Sequence, residues 1–267
     1  MLLDNLHLQI IPADLLVQYK ADFDQSLQQS FNNLEDSELS IDTFSFYVSV
    51  SAVYSSKIEG EDIDLDSFIK HKRFGTKYQP DYTRKIDDLY EAYLTAQQTH
   101  LSQEALENAH AQITTHILQE SRQGRLRTGN MFVVTKDGKI EYVAAAPTKV
   151  NAEMSKLYND IQALLAAELS FDEVCFFASM LHLVLVKIHP FEDGNGRTAR
   201  LLEKWFLAEK LGMKAWFIQS ERHYYNEHQT YYNNIRRLGL EYDQLNYSEA
   251  LPFLQMLPKA ILYHGDE

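Results

Sequence analysis

Apolar residues recur at three- and four-residue intervals over Val174, Phe177, Met180, Leu181, Val184, Leu185 and Ile188. This spacing predicts a helix, amphipathic or buried, that ends near His189, with Pro190 helping to stop it. The same period runs through Leu201, Leu202, Trp205, Phe206 and Leu207 to Leu211-Gly212, and predicts a second helix that starts between Asn195 and Thr198 and stops at Gly212. Upstream, Phe44, Tyr47, Val48, Ser51, Tyr54, Ser55 and Ile58 form one stripe at helical spacing. Gly60 suits the position just past that helix, which puts Glu59 in its last turn. Two β-favouring runs, Phe132-Val133-Val134-Thr135 and Ile140-Glu141-Tyr142-Val143, flank Lys136-Asp137-Gly138-Lys139, and Asp-Gly between such runs signals a hairpin. Tyr224-Tyr225 and Tyr231-Tyr232 repeat at a seven-residue spacing that predicts one shared helix face. The chain therefore reads as all-α with one small β-hairpin. It divides into a helical region over 1–100, a core with the hairpin over 101–215, and further helices over 216–267.

Composition narrows the class. Lys plus Arg total 25 against 38 Asp plus Glu, and the formal net charge of −13 opposes nucleic-acid binding as the main task of this surface. Cys175 is the only cysteine, so no internal disulfide can form, and a reducing compartment suits the chain. Met1-Leu2-Leu3-Asp4 lacks the basic start and apolar run of a signal peptide, and His182 and Lys187 interrupt the best candidate for a membrane span. The expected location is the cytoplasm, with no membrane partner. Asp62, Asp64 and Asp66 alternate like the start of a calcium loop. However, Ser67 and Arg73 stand where its glycine and glutamate belong, so a solvated turn with a helix cap is expected. No zinc pattern occurs.

The candidate chemistry is concentrated in His189-Pro190-Phe191-Glu192-Asp193-Gly194-Asn195-Gly196-Arg197-Thr198-Ala199-Arg200. A helix N-terminus leaves amide N–H groups unpaired and carries partial positive charge, while Gly194 and Gly196 let backbone approach a ligand closely. Arg197 and Arg200 lie three apart on one helix face, and each can fork onto phosphate oxygens. Asp193 offers a hard oxygen ligand for Mg²⁺, and His189 can take a proton near neutral pH. The pattern is neither a P-loop, since no Gly-Lys-Ser/Thr follows, nor a dinucleotide fingerprint, since the preceding element reads as a helix.

This segment resembles the signature of the Fic-domain family, H-x-F-x-D/E/N-G-N-G-R-x-x-R, at every defining position. The resemblance implies a Fic-type helical bundle with a β-hairpin flap, and transfer of AMP from ATP onto a Ser, Thr or Tyr hydroxyl of a target protein. It implies that His189 is the general base, that Asp193 holds Mg²⁺ and that Phe191 anchors the loop. Asn195 and the amides near Gly194 and Gly196 would hold the α- and β-phosphates, Arg197 the phosphate chain, and Arg200 the γ-phosphate. Ser55-Ser56-Lys57-Ile58-Glu59-Gly60 resembles the family's inhibitory motif, S/T-x-x-x-E-G/N. It implies that Glu59 pairs with Arg200 in place of the γ-phosphate. A carboxylate at a helix C-terminus is a local misfit of ~0.3–1 kcal/mol unless a cation compensates it.

The flap, Ile140 to Val143, would pair with an extended segment of the target, although Ala144-Ala145-Ala146-Pro147 stands where relatives are often proline-rich. Tyr231 and Tyr232 match a tyrosine pair of the adenosine pocket, with His228-Gln229 in place of the usual Asn-Arg. Self-association is common in the family, so a homodimer is expected, and the chain itself is among the candidate targets. Two other readings stay open: a nucleotide-sensing binding module without turnover, and a hydrolase in which Glu59 positions water to remove AMP. The intact His189, Asp193 and Arg200 favour chemistry, because a module that only binds needs no base.

Overall fold

A computed structural model describes residues 6–41, 44–78, 83–134 and 140–262. Its helices are α1 (Leu16–Asp22), α2 (Ser26–Asn32), α3 (Phe46–Ile58), α4 (Leu65–Phe74), α5 (Arg84–Gln98), α6 (Gln103–Ile113), α7 (Pro147–Ala166), α8 (Phe171–Ile188), α9 (Asn195–Leu211), α10 (Ser220–Asn226), α11 (His228–Arg236), α12 (Leu251–Leu254) and α13 (Met256–Ile261). Between α6 and α7 lie the strands β1 (Phe132–Val134) and β2 (Ile140–Val143).

The centre is the pair α8 and α9, surrounded by α3, α5, α6 and α7. Ser170 and Glu173 form a reciprocal capping box at the start of α8, and nearly every residue from Phe171 to Ile188 is buried. Such a helix has no solvent face, so its apolar residues fill the whole cylinder. One apolar cluster runs from Ile11 to Ile261 through all three segments of the chain. Among the described residues no helix is long and apolar enough to cross a membrane.

In α3, Val48, Val50, Ala52, Val53 and Ile58 are buried together with Ser49, Ser51, Ser55 and Ser56. Burial therefore extends well beyond the one expected stripe, leaving Phe46, Tyr47, Tyr54 and Lys57 partly exposed, and Phe44 precedes the helix. Small hydroxyl residues can face a tight core when they find partners there. Ser51 Oγ accepts from Lys204 Nζ at 2.6 Å and donates to Glu221 Oε2 at 3.1 Å. Lys204 and Glu221 pair at 2.6 Å with both side chains fully buried, and Tyr93 Oη donates to Glu221 at 2.6 Å. Burial pushes the Glu221 carboxyl up, but Lys204 outweighs it and holds the group below its ordinary value. This cluster joins α3, α5, α9 and α10. Lys204→Met should strand the Glu221 carboxylate and cost about 3–5 kcal/mol, seen as a thermal midpoint lower by about 10 °C. Lys204→Met combined with Glu221→Leu should recover most of that loss.

β1 and β2 pair antiparallel, with Phe132 opposite Val143, Val134 opposite Ile140, and an irregularity between Val133 and Val134. The expected turn Lys136-Asp137-Gly138-Lys139, Thr135 and the Glu141 side chain lie outside the described residues. Phe132, Val134 and Ile140 are exposed, whereas Tyr142 points inward. The far edge of β2 is partly taken, since Val143 N donates to Leu240 O at 2.8 Å. Asp64 caps α4 by accepting from Ser67 N at 2.8 Å, as the Asp62–Asp66 alternation predicts. The two tyrosine pairs sit on two helices, α10 and α11, that meet at Glu227 rather than on one. Even so, the rings of Tyr224 and Tyr231 stack with centroids 5.1 Å apart.

Candidate active site

α8 ends because His189 itself takes the left-handed conformation, φ 51° and ψ 60°, while its N–H still bonds to Leu185 O. Among the described residues it is the only non-glycine residue at positive φ. That conformation costs about 1–2 kcal/mol and persists only where the surroundings fix it. Arg127 does the fixing. Its Nε donates to His189 O at 2.6 Å, its Nη2 to Ala145 O and Ile188 O, its Nη1 to Gly129 O, and its backbone N to Pro190 O.

The His189 Nδ1 lies 3.3 Å from Val186 O and 3.1 Å from Tyr142 Oη, whose own hydrogen goes to Val186 O. Both oxygens can accept, so this bonding assigns the ring hydrogen to Nδ1 and leaves a lone pair on Nε2. Burial, opposed by the Val186 bond and reinforced by the Arg127 charge, pushes the His189 pKa down to about 4. The ring is neutral at pH 7.

The rest of the loop is held from both sides. Phe191 is fully buried and stacks on His110 with centroids 3.6 Å apart. Asn195 Oδ1 accepts from Phe191 N and its Nδ2 donates to Phe191 O, each at 2.9 Å. Gly194 has φ +78°, and a Cβ there would stand 2.7 Å from Thr114 Cγ2. Glycine is required on both counts. Asp193 keeps a half-exposed carboxylate, whose Oδ1 accepts from Gly194 N at 2.5 Å and from Arg197 Nη2 at 3.2 Å.

Glu59 reaches this loop from the C-terminal end of α3. Its Oε1 accepts from Arg200 Nη2 at 2.6 Å and lies so close over the first turn of α9 that a Cβ on Gly196 would stand 2.5 Å from it. The carboxylate thus occupies an anion position at a helix N-terminus, beside two arginines. Burial pushes the Glu59 carboxyl up, but Arg200 and Arg197 outweigh it, and the group is held below the ordinary carboxylate range. Arg200 is buried and also donates from Nε to Ser55 Oγ at 2.8 Å, from Nη2 to Ser55 O at 3.0 Å, and from Nη1 to Tyr231 Oη at 3.3 Å. Behind Tyr231, His182 Nε2 lies 2.9 Å from its hydroxyl and His182 Nδ1 lies 2.8 Å from Glu203. Gly60 follows with φ +95°, the left-handed turn that lets the chain leave the helix.

His189, Asp193, Gly194, Gly196, Arg197, Arg200, Ser55 and Glu59 therefore come together, but three expected residues face elsewhere. Both polar ends of the Asn195 side chain are spent on the Phe191 backbone, so it braces the loop instead of pointing at phosphate. Tyr231 is buried, with its hydroxyl turned to Arg200 and His182, and so stands behind the arginine rather than along a nucleoside. Tyr142 points under the flap to His189, because alternation along β2 sends it inward, while Ile140 beside it is exposed. Tyr232 is partly exposed, edge-on to His228 with centroids 4.8 Å apart.

Sequence reasoning passes over Arg127 and His110. Gly124 and Gly129 on either side mark a turn-rich segment, but nothing local shows that its second arginine turns inward. Burial likewise pushes the His110 pKa down to about 4. A histidine whose folded pKa lies below its unfolded value of ~6.5 lends stability that is complete above pH ~6.5 and is lost as pH falls toward 4. His110 alone should remove about 3 kcal/mol across that window. Urea midpoints measured from pH 7 to pH 4 should fall accordingly.

The sequence pattern of the Fic/DOC family matches residues 100–207, which include His110, Arg127, the flap and the whole signature. A protein of Nematostella vectensis named protein adenylyltransferase Fic is 32% identical over 136 residues. That match covers 51% of this chain and 27% of the relative, so the chain spans about a quarter of that protein's length. A uridine 5'-monophosphate transferase of Xanthomonas campestris pv. campestris (strain 8004) is 61% identical over 31 residues, or 12% of this chain and 6% of that protein. In fold, the chain is similar to the crystal structure of a Fic family protein from Desulfovibrio desulfuricans G20. The TM-score is 0.74 at 17% identity, over 96% of this chain and 75% of the other. With the signature loop folded between two buried helices and the family pattern lying across it, this chain carries a Fic/DOC-family domain over residues 100–207.

Proposed function

We propose that the chain is a protein adenylyltransferase that moves AMP from ATP to a Ser, Thr or Tyr hydroxyl of a target protein and is held inactive by Glu59. The observation that carries this reading is the Glu59 carboxylate seated on Arg200 over Gly196, an acid standing where a phosphate would bind, on the same loop as a neutral histidine. Arg197 supports the same reading, since its Nε is buried with no hydrogen-bond partner among the described residues, a donor to which a phosphate oxygen would bond.

In the reaction, the target hydroxyl oxygen attacks the α-phosphorus and a new P–O bond forms. The bond from that phosphorus to the bridging oxygen breaks and pyrophosphate leaves. The hydroxyl proton passes to His189 Nε2, which the Val186 carbonyl keeps unprotonated by holding the ring hydrogen on Nδ1. Amides at the start of α9 and the two arginines offer preset donors to the phosphates, usually the largest catalytic contribution in such transfers. Asp193 offers one half-exposed carboxylate, and no group of three metal-binding side chains occurs among the described residues. That donor set fits magnesium, which shares its coordination with phosphate oxygens and water. Bound there, magnesium would neutralise charge on the departing pyrophosphate.

The match to a uridine 5'-monophosphate transferase makes the base of the nucleotide a matter for direct test. Wild type, Glu59→Gly and His189→Ala, each incubated with labelled ATP or labelled UTP and a cell extract, would report both transfer and base preference. Transfer from ATP by Glu59→Gly alone is the expected result. The absence of any nucleotide adduct with Glu59→Gly would favour a nucleotide-sensing module.

A further inference from the structure

We infer that His110, on α6, is a positioning residue that sets the shape of the anion loop through the peptide of Asp193. Its side chain is fully buried and bridges two segments that no secondary structure connects. Gly124 N donates to His110 Nδ1 at 2.9 Å, and His110 Nε2 lies 2.9 Å from Asp193 O. An amide N–H can only donate and a carbonyl can only accept, so the hydrogen resides on Nε2 and the ring is read in one orientation. The ring face lies parallel to Phe191 at 3.6 Å, and Thr114, the residue that caps the C-terminal end of α6, packs under Gly194. Thr114 Oγ1 in turn donates to His110 O at 2.8 Å.

The Asp193 carbonyl is the point where this matters. It belongs to the peptide that leads into Gly194, whose φ of +78° turns the next amides toward the first turn of α9. Rotation of that peptide would swing the Asp193 carboxylate and the Gly194 N–H together, because Gly194 N bonds to Asp193 Oδ1. Asn195 fixes the Phe191 end of the loop. His110 fixes the Asp193 end, from a helix outside the signature.

Three substitutions separate this role from simple packing. His110→Gln can keep a donor to Asp193 O, His110→Asn can keep an acceptor for Gly124 N, and His110→Phe keeps the ring alone. Amide hydrogen exchange on the nucleotide-free protein is the first readout. His110→Phe and His110→Asn should speed exchange at Gly194, Asn195 and Gly196 at least tenfold while α7 and the middle of α8 keep their protection. His110→Gln should stay within about threefold of wild type. The second readout rests on the adenylyltransferase reading: in the Glu59→Gly background, kcat should fall about 10- to 100-fold for His110→Phe, with recovery in His110→Gln.

Wild-type exchange at Gly194–Gly196 in His110→Phe would overturn the proposal. So would equal behaviour of the Gln and Asn variants, or a loss of protection spread evenly over α6–α9. Should His110→Phe not fold, the Gln and Asn pair decides alone. A chain that transfers no nucleotide at all would refute the proposed activity while leaving the exchange result to judge His110.

Discussion

Glu59→Gly should raise transfer of AMP to protein by about 100-fold or more over wild type, read as label incorporated per minute at ATP well below saturation and saturating target. On the proposed reading Glu59, lying on the chain itself, would compete at a high and constant effective concentration. The fraction of molecules with the anion position clear sets the apparent affinity for the nucleotide tail. If the closed arrangement is favoured by ~3 kcal/mol, for a hydrogen-bonded pair whose arginine is buried and whose carboxylate is partly exposed, the clear fraction is below 1% and its recovery is worth about two orders of magnitude. Arg200 should not wander after the substitution, because Ser55 and Tyr231 hold it independently of Glu59. Glu59→Gln tests the charge: its amide can still accept from Arg200, so it should release the enzyme only partly. Mild acid should not mimic the substitution, since Arg200 and Arg197 hold the Glu59 carboxyl below the ordinary range and keep it ionised. Equal incorporation by wild type and Glu59→Gly would remove Glu59 from the regulatory account.

His189→Ala, made in the Glu59→Gly background, should lower kcat by about 10²- to 10⁴-fold, the usual worth of a positioned proton acceptor. ATP binding should change little, because Arg197, Arg200 and the α9 amides remain. Calorimetry and turnover together separate the two. Histidine already bears the cost of that left-handed backbone, so alanine adds little strain, but the Nδ1 bond to Val186 O is lost and a small fall in thermal midpoint should accompany the kinetic loss. His189→Asn is the better control, since asparagine tolerates that backbone and lacks the base. Because the pKa of His189 lies near 4, activity of the Glu59→Gly form should be flat from pH 8 to pH 6 with respect to this group and should fall only toward pH 4. Retention of more than a tenth of the turnover in His189→Asn would show that the proton leaves by another route.

The helices around the loop were legible because each carries its period and its punctuation together: Pro190 after α8, Gly212 after α9, Gly60 after α3. The meeting of Glu59 with Arg200 was legible only through resemblance, since no local property links positions so far apart. What escaped was orientation. Asn195 looks like a phosphate donor by type, yet its amide matches a backbone N–H and C=O four residues back, and that short closure wins. Tyr142 lies in a strand whose alternation marks it as inward, but which atom it meets depends on how the flap settles on α8. Ser51 falls within the helical stripe of α3, but its partners there, Lys204 and Glu221, appear only once α9 and α10 are placed against it. His110 was invisible for a related reason, since its partners, Asp193 and Gly124, belong to two different loops.

The burial of most of α3 has a bearing on how this protein can vary. A helix at the margin of a domain can lose a side chain and merely loosen its grip. Here the neighbours of Val50, Ala52 or Val53 would be left facing a void, and the whole molecule would suffer before any regulation changed. Random mutagenesis followed by selection for constitutive labelling should therefore return substitutions at Glu59 and Gly60 and almost none between Val48 and Ser56. On the proposed reading, control would be concentrated at the tip of an element whose body has little freedom to drift.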